Sequence, residues 1–158
     1  MRAEARPVVG RWLGIDHGLK VLGIAVSDPL GLLARPLMLL ERRSKAEDFA
    51  AIARLVEEHE AEGIVVGLPA QPGAARAKQA ESVRLWAGRL AAATPAPVWL
   101  WDESFSSLEA ERRLEESGRR RRPGARIDDL AAAVILQSFL DARRENPDAG
   151  ERVSPAAR

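Results

Sequence analysis

Short apolar runs along the chain end on charged or turn-forming residues, and that pattern predicts the elements. RWLGID (11–16) reads as a strand closing on Asp16, His17 to Lys20 as a tight turn, and VLGIAVS (21–27) as the returning strand. DPLG (28–31) is a turn signal, and ARPLMLLER (34–42) supplies a third strand, completing an antiparallel meander. Ser44 opens a helix to about Glu60: Phe49, Ile52, Leu55 and Val56 follow helical spacing, and Glu47 completes a capping box with Ser44. GIVVGLP (63–69) is a short continuous apolar run, as in a buried parallel strand. A second helix follows from about Ala75 to Ala92, with Val83, Leu85, Trp86 and Leu90 available for burial. APVWLWDE (96–103) is the fifth strand. Ser106 and Glu109 form another capping box at the start of a helix to about Glu116; the loop SGRRRRPGAR and a helix from about Ile127 to Arg143 follow. Residues 1–143 are expected to form one domain, and 144–158 a flexible, solvated tail.

Two helical crossovers imply that strands four and five run parallel to strand one. The fold class is therefore α/β: a five-stranded mixed sheet, three antiparallel strands then two parallel ones, flanked by helices. In such a sheet the carboxyl ends of the parallel strands share one edge, where ligand sites form. Asp16, Gly67-Leu68-Pro69 and Asp102-Glu103 all end there. Asp28 is an internal control. It ends the strand that runs backwards, roughly 15–20 Å away at ~3.3 Å per residue, and reads as a turn carboxylate before Pro29.

Bulk composition narrows the chemistry. The 158 residues carry a net charge of +1, which gives no general bias towards polyanions. Three of the 24 basic residues are lysine and the rest arginine, four of them consecutive at Arg119, Arg120, Arg121 and Arg122. Cysteine is absent, which excludes disulfides and thiolate sites, and with only His17 and His59 present the sequence argues against a histidine-built zinc site. Any metal would be held by oxygen and would be hard, Mg²⁺ or Mn²⁺. No apolar segment reaches the ~20 residues of a membrane span, and the N-terminus lacks a signal peptide's apolar core, so a cytoplasmic protein without a membrane partner is expected.

Asp16 and Glu103 thus face one cleft from different strands. Asp128 or Asp129, in the first turn of the last helix, can supply a third carboxylate, and the alanine-rich LAAAVIL after them lets that helix approach a sheet closely. Taken singly, Asp16 could begin a turn, Glu103 could be solvated, and Asp128 or Asp129 could cap a helix dipole. Taken together, three converging carboxylates repel one another unless protonated or neutralised by cations. One or two hard divalent ions resolve the repulsion, and two such ions can hold and hydrolyse a phosphodiester without a histidine or cysteine nucleophile.

GIDHGLKVLGIAVSDPLG, IVVGLP, WDESFSSLEAERRL and IDDLAAAVILQSFL, in this order between about Gly14 and Asp141, resemble the four signature blocks of the YqgF/RuvX family. The resemblance implies an RNase H-like fold related to the RuvC resolvases. It also implies a metal-dependent endonuclease, resolving Holliday junctions or maturing the 5′ end of 16S rRNA precursors. Carried over by position, the catalytic and metal-binding acids would be Asp16, Glu103 and Asp128, the last because Ile127-Asp128 matches the block's Ile-Asp pair. His17, Leu19 and Ser104 depart from the residues frequent at their positions.

Lys20 stands in the turn after Asp16, where it can meet a phosphate or simply be solvated. RRRRPGAR places Arg119 to Arg122 and Arg126 directly before Asp128, so a phosphate-binding role is expected for them. Gly67 and Pro69 would leave room for a close backbone approach, and AQPGAARAKQ forms a mobile, basic loop. The four tryptophans are assigned to the core, Ser106 and Ser107 to capping, and His17 to packing rather than proton transfer. The expected partner is branched DNA or precursor rRNA, with a homodimer required for paired junction cleavage. Two other readings compete: a non-catalytic nucleic-acid-binding or ribosome-associated module, and an actin-like ATPase hairpin. The latter needs a second domain and a second glycine-rich loop.

Overall fold

The computed structural model describes residues 10–69, 73–105 and 127–157, with the side chains of 105 and 127–129 outside that description. Six strands form one sheet in the order β3-β2-β1-β4-β5-β6. They are β1 (Trp12–His17), β2 (Val21–Ser27), β3 (Ala34–Glu41), β4 (Gly63–Leu68), β5 (Val98–Asp102) and β6 (Glu151–Arg152). β1, β2 and β3 pair antiparallel, whereas β1–β4 and β4–β5 pair parallel. Among the described residues the helices are α1 (Lys45–Glu58), α2 (Ala74–Ala93) and α3 (Ile127–Glu145), with one 3₁₀ turn at Glu103–Phe105. Among the described residues, no helix is long and apolar enough to cross a membrane.

The two faces of the sheet follow from strand alternation. Leu13, Ile15, Ile64, Val66, Val98 and Leu100 pack with Phe49, Ile52 and Val56 of α1 and Val83, Trp86 and Leu90 of α2. Trp12, Val65 and Trp101 pack on the other side with α3 through Ala132, Ala133, Leu136 and Phe139. Ser44 caps α1 as its spacing predicts, its Oγ accepting from the Glu47 N–H at 3.1 Å. Leu85 departs from expectation: it is exposed because it sits about 100° round the helix from Trp86, outside the 83–86–87–90 stripe.

Two expectations are corrected. The sheet has six strands rather than five, and the sixth comes from the segment read as a solvated tail. α3 runs to Glu145, β6 pairs antiparallel with β5, and Val153 is buried with its N–H donated to the Val98 carbonyl. Charge hides this strand in the sequence. Arg152 lies over the Trp99 ring at 4.7 Å, Arg143 over the same ring at 5.0 Å, and Arg84 of α2 pairs with Glu151. The arginine stems cover apolar surface that no aliphatic run advertises. The helix expected over 106–116 and the arginine loop after it lie outside the described residues.

Candidate active site

Register places the acids. In the parallel pair β1–β4, Ile15 is opposite Val66, so Asp16 is level with Gly67; in β4–β5, Gly67 is opposite Trp101. Asp16 lies on the α3 face. A Cβ on Gly14, two residues earlier on the same face, would stand 2.7 Å from Leu136 Cβ and 3.0 Å from the Ala132 carbonyl oxygen. The bare glycine is what lets α3 lie this close to β1.

Glu103 reaches the same place from β5. It begins the 3₁₀ turn after the strand, and its side chain folds back over β4. A Cβ on Gly67 would meet Glu103 Oε1 at 3.1 Å and Glu103 Cγ at 3.3 Å. Since Gly67 stands between β1 and β5, this fold-back carries the carboxylate towards Asp16 by about one ~4.8 Å strand spacing. Gly67 therefore does not leave a gap for a substrate backbone, as the sequence suggested: Glu103 and Ile135 fill the space, and Pro69 is buried.

The geometry also separates Glu103 from its neighbour. Asp102 Oδ1 accepts the Ser104 N–H at 2.8 Å and the Ser104 hydroxyl at 2.6 Å, so it serves the turn. Glu103 is half-buried, and that burial raises its carboxyl above the ordinary range; the Arg76 charge opposes the shift and the Asp102 charge adds to it. Arg76 lies in the first turn of α2, which begins at Ala74, close to the expected Ala75; the helix thus takes over the last residues of the stretch AQPGAARAKQ expected as a basic loop.

α3 carries the third position towards the same edge. Phe139 packs on Trp12 at 5.3 Å between ring centroids, and Ala132 and Leu136 cover Gly14, so the helix runs antiparallel to β1. Asp128 lies one turn before Ala132, about 6 Å further along the axis, while Asp16 lies about 7 Å beyond Gly14 along the strand. The two advances match. Asp128 opens α3 at the level of Asp16; its side chain lies outside the described residues, as do Arg119, Arg120, Arg121, Arg122 and Arg126. Among the described residues, no three metal-ligating side chains cluster.

His17 and Asp28 are resolved by the structure. His17 points to the opposite face from Asp16, edge-on to Trp86 at 4.7 Å, with Nε2 buried and unpartnered among the described residues. Burial holds its pKa down to about 4, and the Arg42 charge adds to the effect. A neutral imidazole behind the sheet packs and does not serve the acids. Asp28 Oδ1 accepts the Leu32 and Leu33 N–H groups at 2.6 and 2.9 Å, the turn role its strand direction predicts. Trp12, Trp86 and Trp101 are buried, and Trp99 is half-buried beneath its two arginines.

A profile of the RuvX family, described as Holliday junction resolvase, matches residues 10–142. The chain belongs to this family. Family membership makes it a nuclease, an enzyme of phosphodiester hydrolysis. A relative from Koribacter versatilis, 42% identical over 91% of this chain and 97% of its own length, carries the name "Putative pre-16S rRNA nuclease". So does one from Syntrophus aciditrophicus, 44% identical over 84% of this chain and 89% of its own. A solved structure titled as Thermus thermophilus RuvC in complex with a Holliday junction substrate superposes with a TM-score of 0.63 at 18% identity. It covers 90% of this chain and 99% of that one. That likeness establishes the RNase H-like fold of the RuvX chain. The non-catalytic and actin-like readings give way to the family.

Proposed function

We propose that this RuvX chain is a divalent-metal-dependent endonuclease whose site is Asp16, Glu103 and Asp128, and that its substrate is precursor rRNA or a branched DNA. The observation that carries the reading is the fold-back of Glu103 over Gly67 towards the level of Asp16. Chains that merely end strands on acids gain nothing from bending a half-buried carboxylate inward, because burial disfavours its charge. Oxygen donors from two strands and a helix terminus, without histidine or cysteine, fit a hard ion such as Mg²⁺ or Mn²⁺. A divalent ion bound there supplies Lewis-acid polarisation of the phosphodiester and favours ionisation of a water.

The chain's own residues do the rest. Gly14 and the alanines of α3 set how near Asp128 comes to β1, and Gly67 lets Glu103 lean inward. Ser104 keeps Asp102 turned to the 3₁₀ turn, so a single carboxylate of the Asp-Glu pair serves the cleft. Arg76 tempers the Glu103 shift. Arg119 to Arg122 and Arg126 precede Asp128 in the chain, where they supply counter-charge for phosphates.

The test is cleavage of a four-way DNA junction and of a precursor rRNA by the purified chain in Mg²⁺ or Mn²⁺, repeated with Asp16→Asn. Metal-dependent cleavage lost in the variant supports the reading, and the preferred substrate names the reaction. Cleavage that survives Asp16→Asn places the chemistry elsewhere. A dimer in solution would accord with paired junction cleavage, and a monomer with single-strand processing.

A further inference from the structure

We propose that a basic groove between the β1–β2 turn and the β3–α1 junction binds backbone phosphates of the substrate away from the acids, a role that rests on the nuclease reading above. The groove encloses about 480 Å³ and gathers Lys20, Arg42, Arg43 and Lys45, with Glu41 and Asp48 as its acids. Lys20, Arg43 and Lys45 are exposed. Among the described residues, none of the four cations makes an ion pair. Asp48 is only 2% exposed and its carboxylate accepts the Arg43 backbone N–H at 3.0 Å, so it shores up the junction from beneath. The concavity thus presents more cation than anion to solvent. Two of the chain's three lysines line it.

The groove is also built. Arg42 donates through Nη1 to the Gly18 carbonyl at 2.8 Å, and its backbone N–H donates to the Lys20 carbonyl at 2.8 Å. These two bonds lock the turn to the junction. A Cβ on Gly18 would stand 2.4 Å from the Val21 carbonyl oxygen, so the turn tolerates no side chain there. The helix end is not the ligand site, since Ser44 already accepts from Glu47 and Asp48 from Arg43. The side chains must hold the phosphate, with Arg43 offering a planar fork and Lys20 and Lys45 point charges.

Placement decides the occupant. Gly18 is two residues beyond Asp16, about 7 Å along the chain, so the groove opens on the same edge of the sheet as the acids. It lies on the α1 side, whereas Asp16 faces α3. A strand with its reacting phosphate at Asp16 crosses the rim of the sheet and lays its next phosphates in the groove.

The test is binding of fluorescently labelled RNA and DNA oligonucleotides by the full chain carrying Asp16→Asn, across a salt series, with and without the added pair Arg43→Ala and Lys45→Ala. Loss of the two contacts is expected to weaken binding about tenfold and to lower the salt slope by about 0.7 for each phosphate released. Arg43→Lys with Lys45→Arg is expected to restore both, and an unchanged melting temperature certifies the fold. The RNA and DNA arms say which backbone the groove prefers. Unchanged affinity and slope in the alanine pair would overturn the groove while leaving the nuclease reading intact. Absence of binding by the parent chain would overturn the groove as well, and the cleavage assay then shows whether the nuclease reading stands.

Discussion

Glu103 leans over Gly67, with Oε1 3.1 Å from where a Cβ on that glycine would stand. The contact joins the end of β5 to the end of β4 and sets the direction of the carboxylate. Gly67→Ala would press its methyl against Ile135 Cδ1 at 2.5 Å as well as against Glu103. Overpacking of this kind costs about 1–3 kcal/mol. The melting temperature should fall by several degrees, and kcat should fall further than lost stability explains, because Glu103 is displaced. Calorimetric melting and cleavage rates on one preparation check both.

His17 gives the account its pH dependence. Its folded pKa, about 4, lies below the unfolded value of 6.5 because burial beside Trp86 disfavours the imidazolium. The unfolded chain therefore binds this proton first. Stability from His17 is complete above about pH 6.5 and is lost as pH falls towards 4. His17→Phe should flatten that part of the stability curve and leave cleavage at neutral pH within about twofold. Denaturant unfolding at several pH values, alongside a cleavage assay, reads both outcomes.

Gln137 should prove less replaceable than its surroundings suggest. Fully buried in α3, it accepts the Ala34 N–H at 2.9 Å and donates to the Leu32 carbonyl at 2.9 Å and to Asp141 Oδ1 at 3.0 Å. Gln137→Leu keeps the volume and leaves the Ala34 and Leu32 groups without these bonds. A loss of about 1–3 kcal/mol is expected from the buried Ala34 N–H, with less from the part-buried Leu32 carbonyl, measured as a lower urea midpoint at unchanged slope.

Much of this was legible in the sequence because period and punctuation agree. β1, β2, β4 and the helix α1 fall close to where apolar runs, turns and the Ser44 cap put them. The shared edge of Asp16 and Glu103 followed from two crossovers, and the choice of Asp128 over Asp129 came from the resemblance. Three things were hidden. β6 escaped notice because two arginines, and no apolar run, cover Trp99. Gly67 looked like open space because a sequence does not show which side chain fills a missing Cβ. The groove was broken across ERRSK (41–45) and a turn twenty residues away, which the Arg42 bonds to Gly18 and Lys20 unite.

The most direct measurement is calorimetric titration of Mn²⁺ into the parent chain and into Asp16→Asn, Glu103→Gln and Asp128→Asn. Each single variant is predicted to weaken Mn²⁺ binding by at least about tenfold with its fold intact, and to slow cleavage by about a hundredfold or more, equivalent to ~3 kcal/mol. Mn²⁺ affinity unchanged in all three variants would contradict the claim that these acids gather to hold the ion.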